Sequence, residues 1–271
     1  MSRFRNANLS EPVNPTGVRL ATLYSPALGR RADMTLYVPD ARGDLPLLIL
    51  LHGVYGSHWN WWAFGHAPET ADAMIRSGTI RPFAIAMPSD GLWGEGSGYL
   101  EHRDFNAEAW IVEDVPQFVG EVLPQVGTDR FYLAGLSMGG YGALRLGMKH
   151  AAKVKGISAH SAVTRIHDLP AFVQEPIEEY LAAGQPNADL LHWMRKHREI
   201  LPPLRFDCGR EDSLLEGNRA LHRALQDEGI SHTYEEQGGG HTWDYWQEHV
   251  RRTFRFVSEL EERAGGISST A

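Results

Sequence analysis

The chain has 271 residues, of which 42% are hydrophobic and 22% charged, a composition typical of a globular protein with a substantial core and not of a disordered chain. Its formal net charge is −8, and no dense cluster of lysine and arginine indicates nucleic-acid binding. The single cysteine, Cys208, excludes an intrachain disulfide, and because neither a signal-peptide core nor a run of about eighteen apolar residues occurs, we expect a cytoplasmic protein without a membrane span.

Strand and helix signals alternate along the chain. Residues 45–51 form an almost continuous apolar run, which is typical of a strand buried on both faces of a parallel sheet. The same reasoning predicts strands at 18–25, 34–38, 82–87, 131–136, 154–158, 204–208 and 233–236, and helices at 69–77, 107–123, 140–149, 214–227 and 242–262. This alternation predicts an α/β fold with a mostly parallel central sheet and helices on both faces, and such sheets bind ligands at the carboxyl ends of their strands.

Residues 169–200 interrupt this alternation. They predict two or more helices without an intervening strand, and we interpret them as a small helical cap inserted into a single domain that spans residues 1–271. Residues 91–98 are rich in glycine, but no clear helix opens from them, so we expect a flexible loop beside the site instead of a phosphate-binding loop.

The sequence Gly-Leu-Ser-Met-Gly at 135–139 lies between a predicted strand and a predicted helix. A Gly-x-Ser-x-Gly pattern in this position favours a sharp turn that holds its central serine in a strained conformation with the oxygen exposed. The flanking glycines remove side chains that would clash in such a turn. Ser137 is therefore the candidate nucleophile, and the alternative is a plain structural turn.

A serine hydroxyl needs a general base, and in this arrangement the partners follow the serine in the order acid, then histidine. His241 comes after the last predicted strand and follows three glycines, which allow the backbone to bring its imidazole close to the serine. His222, His232 and His249 occupy predicted helix or strand-start positions, and we interpret them as surface residues. We predict that His241 is the base.

The acid that orients this histidine should follow the predicted strand at 204–208. Three acidic residues compete there. Asp207 is still within the strand, whereas Glu211 and Asp212 lie in the following loop. Asp212 also fits a cap at the start of the next helix. Chain order favours Asp212 as the acid.

The negative charge that develops during acyl transfer needs preorganised donors, usually two backbone N–H groups. One donor should be the N–H of Met138, directly after the nucleophile. The other should come from the loop after the strand at 45–51, which begins with His52 and Gly53, and Val54 is the candidate. We interpret His52 itself as a structural hydrogen-bonding residue.

Together these motifs resemble the esterase branch of the α/β-hydrolases that includes S-formylglutathione hydrolase (esterase D), short-chain tributyrin esterases, feruloyl esterases and the mycolyltransferases. The likeness rests on residues 51–53 with 135–143, on residues 208–212 with Asn218, and on residues 240–243 with Tyr245 and Trp246. The resemblance implies an α/β-hydrolase fold. It also implies the triad roles for Ser137, Asp212 and His241 and the oxyanion roles for Val54 and Met138.

Aromatic residues are concentrated in the loop after the His-Gly turn, where residues 58–64 read His-Trp-Asn-Trp-Trp-Ala-Phe. Such side chains can line an acyl or aryl pocket or, alternatively, pack the loop against the cap. The predicted pocket residues are Trp59, Trp61, Trp62, Trp93 and Trp243. No spacing of histidine and cysteine predicts a metal site, so we expect neither a metal nor another cofactor.

These observations predict a serine carboxylesterase that hydrolyses short- to medium-acyl or aryl esters through an acyl-enzyme. An acyltransferase or a thioesterase similar to S-formylglutathione hydrolase could use the same triad, and a non-catalytic binding module could keep the same fold. S-formylglutathione hydrolases usually carry a Leu-Thr-Cys stretch where residues 54–57 read Val-Tyr-Gly-Ser here, which weakens that resemblance, and residues 135–140 are more similar to the tributyrin-esterase type. We expect a small-molecule ester as partner and neither nucleic acid nor a membrane, and the sequence leaves the oligomeric state open.

Overall fold

Nine strands form one sheet in the computed structural model, which describes residues 4–41 and 43–268. In chain order they are β1 (Arg5–Leu9), β2 (Val18–Ser25), β3 (Arg30–Tyr37), β4 (Leu45–Leu51), β5 (Ala84–Pro88), β6 (Val126–Leu136), β7 (Val154–His160), β8 (Leu204–Gly209) and β9 (Thr233–Gln237). Their spatial order is β1-β2-β3-β5-β4-β6-β7-β8-β9. The pairs β1–β2, β2–β3 and β3–β5 are antiparallel, and every later pair in this order is parallel.

Helices connect the parallel strands, and one helix follows the last of them. They are α1 (Asn60–Ala63), α2 (Ala67–Arg76), α3 (Ala107–Ala109), α4 (Val115–Val122), α5 (Met138–Lys149), α6 (Ile177–Tyr180), α7 (Gln185–Ala188), α8 (Leu190–Lys196), α9 (Leu215–Asp227) and α10 (Trp243–Ser268). A π-helical turn at Trp110–Asp114 joins α3 to α4, and 3₁₀ turns lie at Ile166–Ala171 and Arg198–Ile200. None of the helices in the described residues combines the length and the apolar character that crossing a membrane requires.

The central strand β4 explains why its sequence is apolar throughout. Successive side chains of a strand point to opposite faces of the sheet. Leu47, Ile49 and Leu51 pack into the larger core, together with side chains of α5, α9 and the helices between β7 and β8. Leu48 and Leu50 pack into the smaller core, together with side chains of α2 and α10. Both faces of β4 are therefore covered by helices.

The elements differ from the sequence prediction mainly at their ends and at one added strand. The edge strand β1 was not predicted, because its sequence, Arg-Asn-Ala-Asn-Leu, lacks the β-branched and aromatic residues that favour strands. The helix predicted at 107–123 is divided by the π-helical turn just before Pro116. Proline cannot donate an N–H to the carbonyl four residues earlier, so the α-helical hydrogen-bond pattern cannot continue through this position.

The stretch predicted as a cap holds the 3₁₀ turns and the short helices α6, α7 and α8, and we call residues 166–200 the cap segment. Several of its apolar side chains, among them Tyr180, Leu190 and Met194, are buried in the larger core. Arg145 of α5 is fully buried and donates to the main-chain carbonyl of Asn187 in the cap segment, over 2.6 Å. The helix that begins beside the Gly-x-Ser-x-Gly turn therefore also anchors the cap segment.

Candidate active site

Ser137 lies at the sharp turn between β6 and α5, with φ 53° and ψ −118°. A residue with a side chain rarely adopts this conformation, so the turn is strained. The neighbouring glycines explain how the chain tolerates it. A β-carbon on Gly135 would lie 2.3 Å from the carbonyl oxygen of Gly139, and one on Gly139 would lie 2.4 Å from that of His52. Only glycine fits at both positions, and the serine is held at the N-terminal, electropositive end of α5.

His241 lies between Ser137 and Asp212 in space. Its Nε2 atom is 3.0 Å from the Ser137 hydroxyl oxygen, and its Nδ1 atom is 2.9 Å from one Asp212 carboxylate oxygen. Because an ionised carboxylate can only accept hydrogen bonds, Nδ1 carries the proton, and Nε2 is left to accept one from the serine. Asp212 is fully buried at its side chain, whereas the His241 side chain is 25% exposed.

Asp212 bonds both to the histidine and to the main chain of the turn before α9. Its second carboxylate oxygen accepts the N–H of Leu214 at 2.8 Å, but no side chain caps α9, so the alternative of a helix cap does not apply. Burial alone would raise the pKa of Asp212, but the hydrogen bonds from His241 and from the Leu214 N–H outweigh burial and lower it. The carboxylate is therefore ionised across the neutral and mildly acidic range.

The loop after β4 packs directly against the serine. A β-carbon on Gly53 would lie 3.2 Å from the β-carbon of Ser137, so the main chain that leads into Val54 passes beside the nucleophile. The N–H groups of Tyr55 and Gly56 already donate to the carbonyls of Glu95 and Gly53, at 3.1 and 3.2 Å. Of the two predicted oxyanion residues, Val54 thus directly follows the glycine that packs on Ser137, and Met138 directly follows Ser137 in the chain.

His52 is buried and acts as a fixed structural bridge. Its Nε2 atom accepts the N–H of Asp90 at 3.1 Å, so Nδ1 carries the proton and donates to the Gly53 carbonyl at 2.7 Å. Burial lowers the pKa of His52 and favours this neutral form. Both ring nitrogens are engaged away from Ser137, and the structure therefore does not present His52 as a base for it.

Asp90 is a residue of the site that the sequence analysis missed. Its carboxylate accepts the N–H of Leu92 at 2.9 Å and the N–H of Ser97 at 2.6 Å, which folds the glycine-rich loop back on itself. The available signal was its position directly after the strand at 82–87, where loop-forming side chains of a parallel sheet are expected. Asp90 therefore shapes the loop next to the site and ties it to His52.

The cap segment, the glycine-rich loop and the loop after β4 meet near the site and are joined by hydrogen bonds. The Tyr180 hydroxyl of the cap segment donates to the Gly96 carbonyl at 2.8 Å, and the Tyr55 hydroxyl donates to the Phe172 carbonyl. The Phe172 ring stacks at 6.2 Å from the His241 ring. The cap segment is thereby linked both to the glycine-rich loop and to the loop after β4.

The structure separates the five tryptophans that were predicted as a pocket. Trp61 is 1% exposed and donates from its indole nitrogen to the Leu51 carbonyl at 2.9 Å, so it belongs to the core instead of a pocket. Trp62 is half-buried against the smaller core. Trp93 packs on Tyr180 of the cap segment, with 5.5 Å between ring centroids.

The remaining two of these tryptophans, Trp59 and Trp243, belong to a chain of aromatic contacts that starts at His241. Trp246 packs on the His241 ring at 4.9 Å, and Trp243 packs on Trp246 at 5.2 Å. Phe64 contacts Trp243 at 5.6 Å and Trp59 at 5.3 Å. Trp59 and Phe64 are 38% and 46% exposed, so this chain of rings leads from the site to the protein surface.

The structure supports neither a reactive thiol nor a metal site among the residues that it describes. Cys208 is fully buried, and burial together with the charges of Asp212 and Asp207 raises the pKa of its thiol, which disfavours a reactive thiolate. Among the residues that the structure describes, no three His, Cys, Asp or Glu side chains are grouped so that they could hold a metal ion.

Comparison with known proteins assigns the chain to a family. Residues 25–257 match the model of the esterase family described as "Putative esterase". An acetyl esterase from Caldicellulosiruptor saccharolyticus is 29% identical over 238 residues, which cover 81% of this chain and 85% of that protein. An S-formylglutathione hydrolase from Arabidopsis thaliana is 24% identical over 207 residues, which cover 70% of this chain and 72% of that protein. The structure of a ferulic acid esterase matches with a TM-score of 0.79 at 24% identity, covering 90% of this chain and 97% of that chain.

The sheet order and the serine turn define a hydrolase of the α/β-hydrolase fold, which the ferulic acid esterase structure shares. The chain belongs to the esterase family whose model it matches over most of its length, and it is a carboxylic ester hydrolase. The fold class and the family that the sequence motifs indicated are thereby confirmed.

Proposed function

We propose that this protein is a serine carboxylesterase that hydrolyses short- to medium-acyl or aryl esters, with Ser137, His241 and Asp212 as its catalytic triad. The observation that carries the proposal is the continuous relay of 3.0 and 2.9 Å hydrogen bonds from the serine hydroxyl through the imidazole to the carboxylate. The relay begins at a serine held in a strained turn at a helix N-terminus, which is where a nucleophile of this fold is expected.

In the first half of the reaction the Ser137 oxygen attacks the ester carbonyl while His241 Nε2 takes its proton. The Asp212 carboxylate holds the ring in the required tautomer and stabilises the imidazolium that forms. The N–H groups of Val54 and Met138 donate to the oxyanion of the tetrahedral intermediate. His241 then returns the proton to the departing alcohol, and an acyl-enzyme remains on Ser137.

In the second half a water molecule attacks the acyl-enzyme, again with His241 as the base. The acid leaves, and the serine proton is restored. The Phe172 ring of the cap segment stacks on His241, and the exposed rings of Trp59 and Phe64 end the chain of aromatic contacts that starts at the same histidine. We assign to these groups the selection of acyl and alcohol groups.

The test is hydrolysis of a series of p-nitrophenyl esters from acetate to long acyl chains, together with a feruloyl ester. We expect activity in the wild type with an optimum at short to medium chains, and Ser137→Ala should lose at least about 10⁴-fold in kcat. Ser213→Ala, which changes an exposed serine next to Asp212, is the matched control and should retain its activity. Full activity in Ser137→Ala would overturn the proposal.

One further arm of the experiment separates oxygen esters from thioesters. Each acyl group is offered as an oxygen ester and as a thioester of similar size, and kcat/KM is compared. The carboxylesterase proposal predicts that the oxygen ester is hydrolysed at least as well. A preference for the thioester of tenfold or more, seen with every acyl group, would replace it with a thioesterase.

A further inference from the structure

Two neighbouring strands carry polar side chains at alternate positions, although both strands are buried. Ser158 and His160 do so in β7, and Arg205 and Asp207 in β8, and each of the four is at most 4% exposed. The register pairs Ser158 with Arg205 and His160 with Asp207. Because alternate residues of a strand share a face, the four side chains form one polar cluster on a single face of the sheet.

These four side chains and Thr253 of α10 close a ring of hydrogen bonds. Arg205 donates to the Ser158 hydroxyl at 3.0 Å and to the Asp207 carboxylate at 2.6 Å. The Thr253 hydroxyl is 2.6 Å from that of Ser158 and 2.8 Å from His160 Nε2. His160 Nδ1 completes the ring at 3.0 Å from Asp207.

One assignment of protons gives every donor in this ring a partner. The carboxylate of Asp207 accepts from His160 Nδ1, so Nε2 of a neutral ring accepts the Thr253 hydroxyl proton. The Thr253 oxygen then accepts from Ser158, whose oxygen accepts from Arg205. Because each proton of the ring has one acceptor, the buried polar groups are satisfied, and the ring is a rigid unit.

The ring touches the chain segments that carry the triad. The main-chain carbonyl of His160 accepts the N–H of Ser137 at 3.0 Å. Asp207 also accepts the hydroxyl of Tyr245 at 2.8 Å, and Tyr245 lies in the first turn of α10, four residues after His241. The Tyr245 ring also lies against the three glycines that precede His241, since a β-carbon on Gly239 would be 3.0 Å from it.

We propose that Asp207, acting through the Tyr245 hydroxyl, is a positioning residue that sets the His241 loop relative to Ser137. The ring holds Asp207 in place, and the Tyr245 hydrogen bond transmits that position to the start of α10. Asp207 does not touch the reacting atoms. This inference rests on the proposed triad, because it concerns the placement of His241 in that triad.

The first test removes one hydrogen bond near each end of α10. Tyr245→Phe loses the hydrogen bond to Asp207 beside the site. Tyr132→Phe is the matched control, because it loses a 2.6 Å hydrogen bond from a sheet tyrosine to Glu261, near the other end of α10. We expect both to shift the unfolding midpoint alike. Only Tyr245→Phe should lose kcat for p-nitrophenyl acetate, by roughly tenfold with KM within twofold, because displacing a catalytic group slows the chemical step.

The second test breaks the ring without touching Tyr245. Thr253→Val keeps the shape of the side chain but leaves His160 Nε2 and the Ser158 hydroxyl without their partner, whereas Thr253→Ser keeps the hydroxyl. Thr253→Val should lower kcat by about fivefold with KM unchanged, and Thr253→Ser should restore it to within twofold of the wild type. If Tyr245→Phe does not fold, this pair of variants still tests the positioning role of Asp207.

The two proposals fail in different ways. Wild-type kcat in Tyr245→Phe and Thr253→Val, or an equal loss in Tyr132→Phe, would overturn the positioning role and leave the triad standing. Retained activity in Ser137→Ala would overturn the triad itself. A loss in Thr253→Val that Thr253→Ser does not restore would also count against the ring, because the hydroxyl would then not be the group that matters.

Discussion

The carbonyl oxygen of His52 lies so close to Gly139 that a β-carbon added to Gly139 would sit 2.4 Å from it. His52 directly follows β4, and Gly139 lies in the first turn of α5. Both groups belong to the main chain, so neither can move aside without a large energetic cost. We expect Gly139→Ala to lower the free energy of unfolding by about 1–3 kcal/mol. The displaced serine turn should also reduce kcat/KM roughly 100-fold. Urea unfolding and ester hydrolysis measure the two effects.

Gly238→Ala is the control for that substitution. A β-carbon on Gly238 would meet no atom within 4 Å, although this glycine belongs to the loop that carries His241. We expect wild-type stability and activity within about twofold. If Gly139→Ala behaved like Gly238→Ala, the close approach of β4 to the serine turn would not constrain the site.

Asp212 and Glu211 are adjacent acids, and substitution of each tests which one serves the proposed triad. Asp212→Asn removes the charge that stabilises protonated His241, and we expect kcat to fall about 10³- to 10⁴-fold. Glu211 instead accepts the main-chain N–H of Gly239, a contact that an amide oxygen can replace. Glu211→Gln should therefore stay within about threefold of the wild type. Equal losses in the two variants would remove the distinction between them.

The buried ion pair between Glu108 and Arg145 predicts an acid-dependent loss of stability. Burial alone would raise the pKa of Glu108, but the hydrogen bond from His150 and the charge of Arg145 outweigh it and hold the pKa well below its usual value. A carboxyl with a lowered pKa stabilises the fold above its ordinary pKa, and this stabilisation is lost as the pH falls. Between pH 5 and pH 3 we expect the free energy of unfolding of the wild type to decrease.

Glu108→Gln isolates this contribution. At pH 7 it leaves the Arg145 charge buried without its partner, and we expect a loss of about 3–5 kcal/mol in urea unfolding. Between pH 5 and pH 3 the variant should lose less stability than the wild type, because the titrating group is gone. Glu113→Gln changes an exposed carboxyl in the adjoining π-helical turn and should follow the wild-type curve. Parallel curves for Glu108→Gln and the wild type would contradict the assignment.

Trp59 offers a test of the chain of aromatic contacts that starts at His241. It is 38% exposed and contacts Phe64, which in turn contacts Trp243. A stacked aromatic ring is worth about 1 kcal/mol, so Trp59→Ala should raise KM for a feruloyl ester about fivefold and leave KM for p-nitrophenyl acetate within twofold. Ile200→Ala, which removes a 57% exposed apolar side chain from the cap segment, should change neither value. An equal rise in KM for both esters in Trp59→Ala would rule out an aromatic subsite.

Much of the sheet could be predicted because its strands are buried on both faces. β4 has the bounds that its apolar run indicated, and β6, β7 and β8 are each longer than predicted. Most of the added residues are polar or small, such as Gly127 and His160, and main-chain pairing brings these two into the sheet where side-chain pattern does not mark them. Pattern therefore predicts the centres of such strands better than their ends.

The candidate site was predictable to the extent that chain order and local turn chemistry determine it. Ser137, Asp212 and His241 each follow a strand of the parallel sheet, and the carboxyl ends of such strands share one edge. The sequence carries no such signal for the direction in which a tryptophan side chain points. Trp61 and Trp59 are two residues apart in one loop, yet Trp61 is buried in the core and Trp59 reaches the surface.

The ring of hydrogen bonds around Asp207 could not be predicted either, because it depends on the register of two strands. Alternate polar residues within strands were visible at 158–160 and 205–207, but the pairing of His160 with Asp207 depends on how β7 and β8 are aligned. Asp207 entered the sequence analysis only as a competitor for the acid of the triad. Its partners lie up to 47 residues away in the chain, and no local pattern links them.

Cys208 carries the only thiol of the chain and is fully buried in β8, which lies between β7 and β9. Because its side chain projects from one face of the sheet, an alkylating reagent can reach it only after the segments packed on that face move away, so the rate of its modification measures opening of the core. Every variant considered above can therefore be checked for integrity with one reagent and no added label. Catalytic variants should be alkylated as slowly as the wild type, whereas those that weaken the core should be alkylated faster.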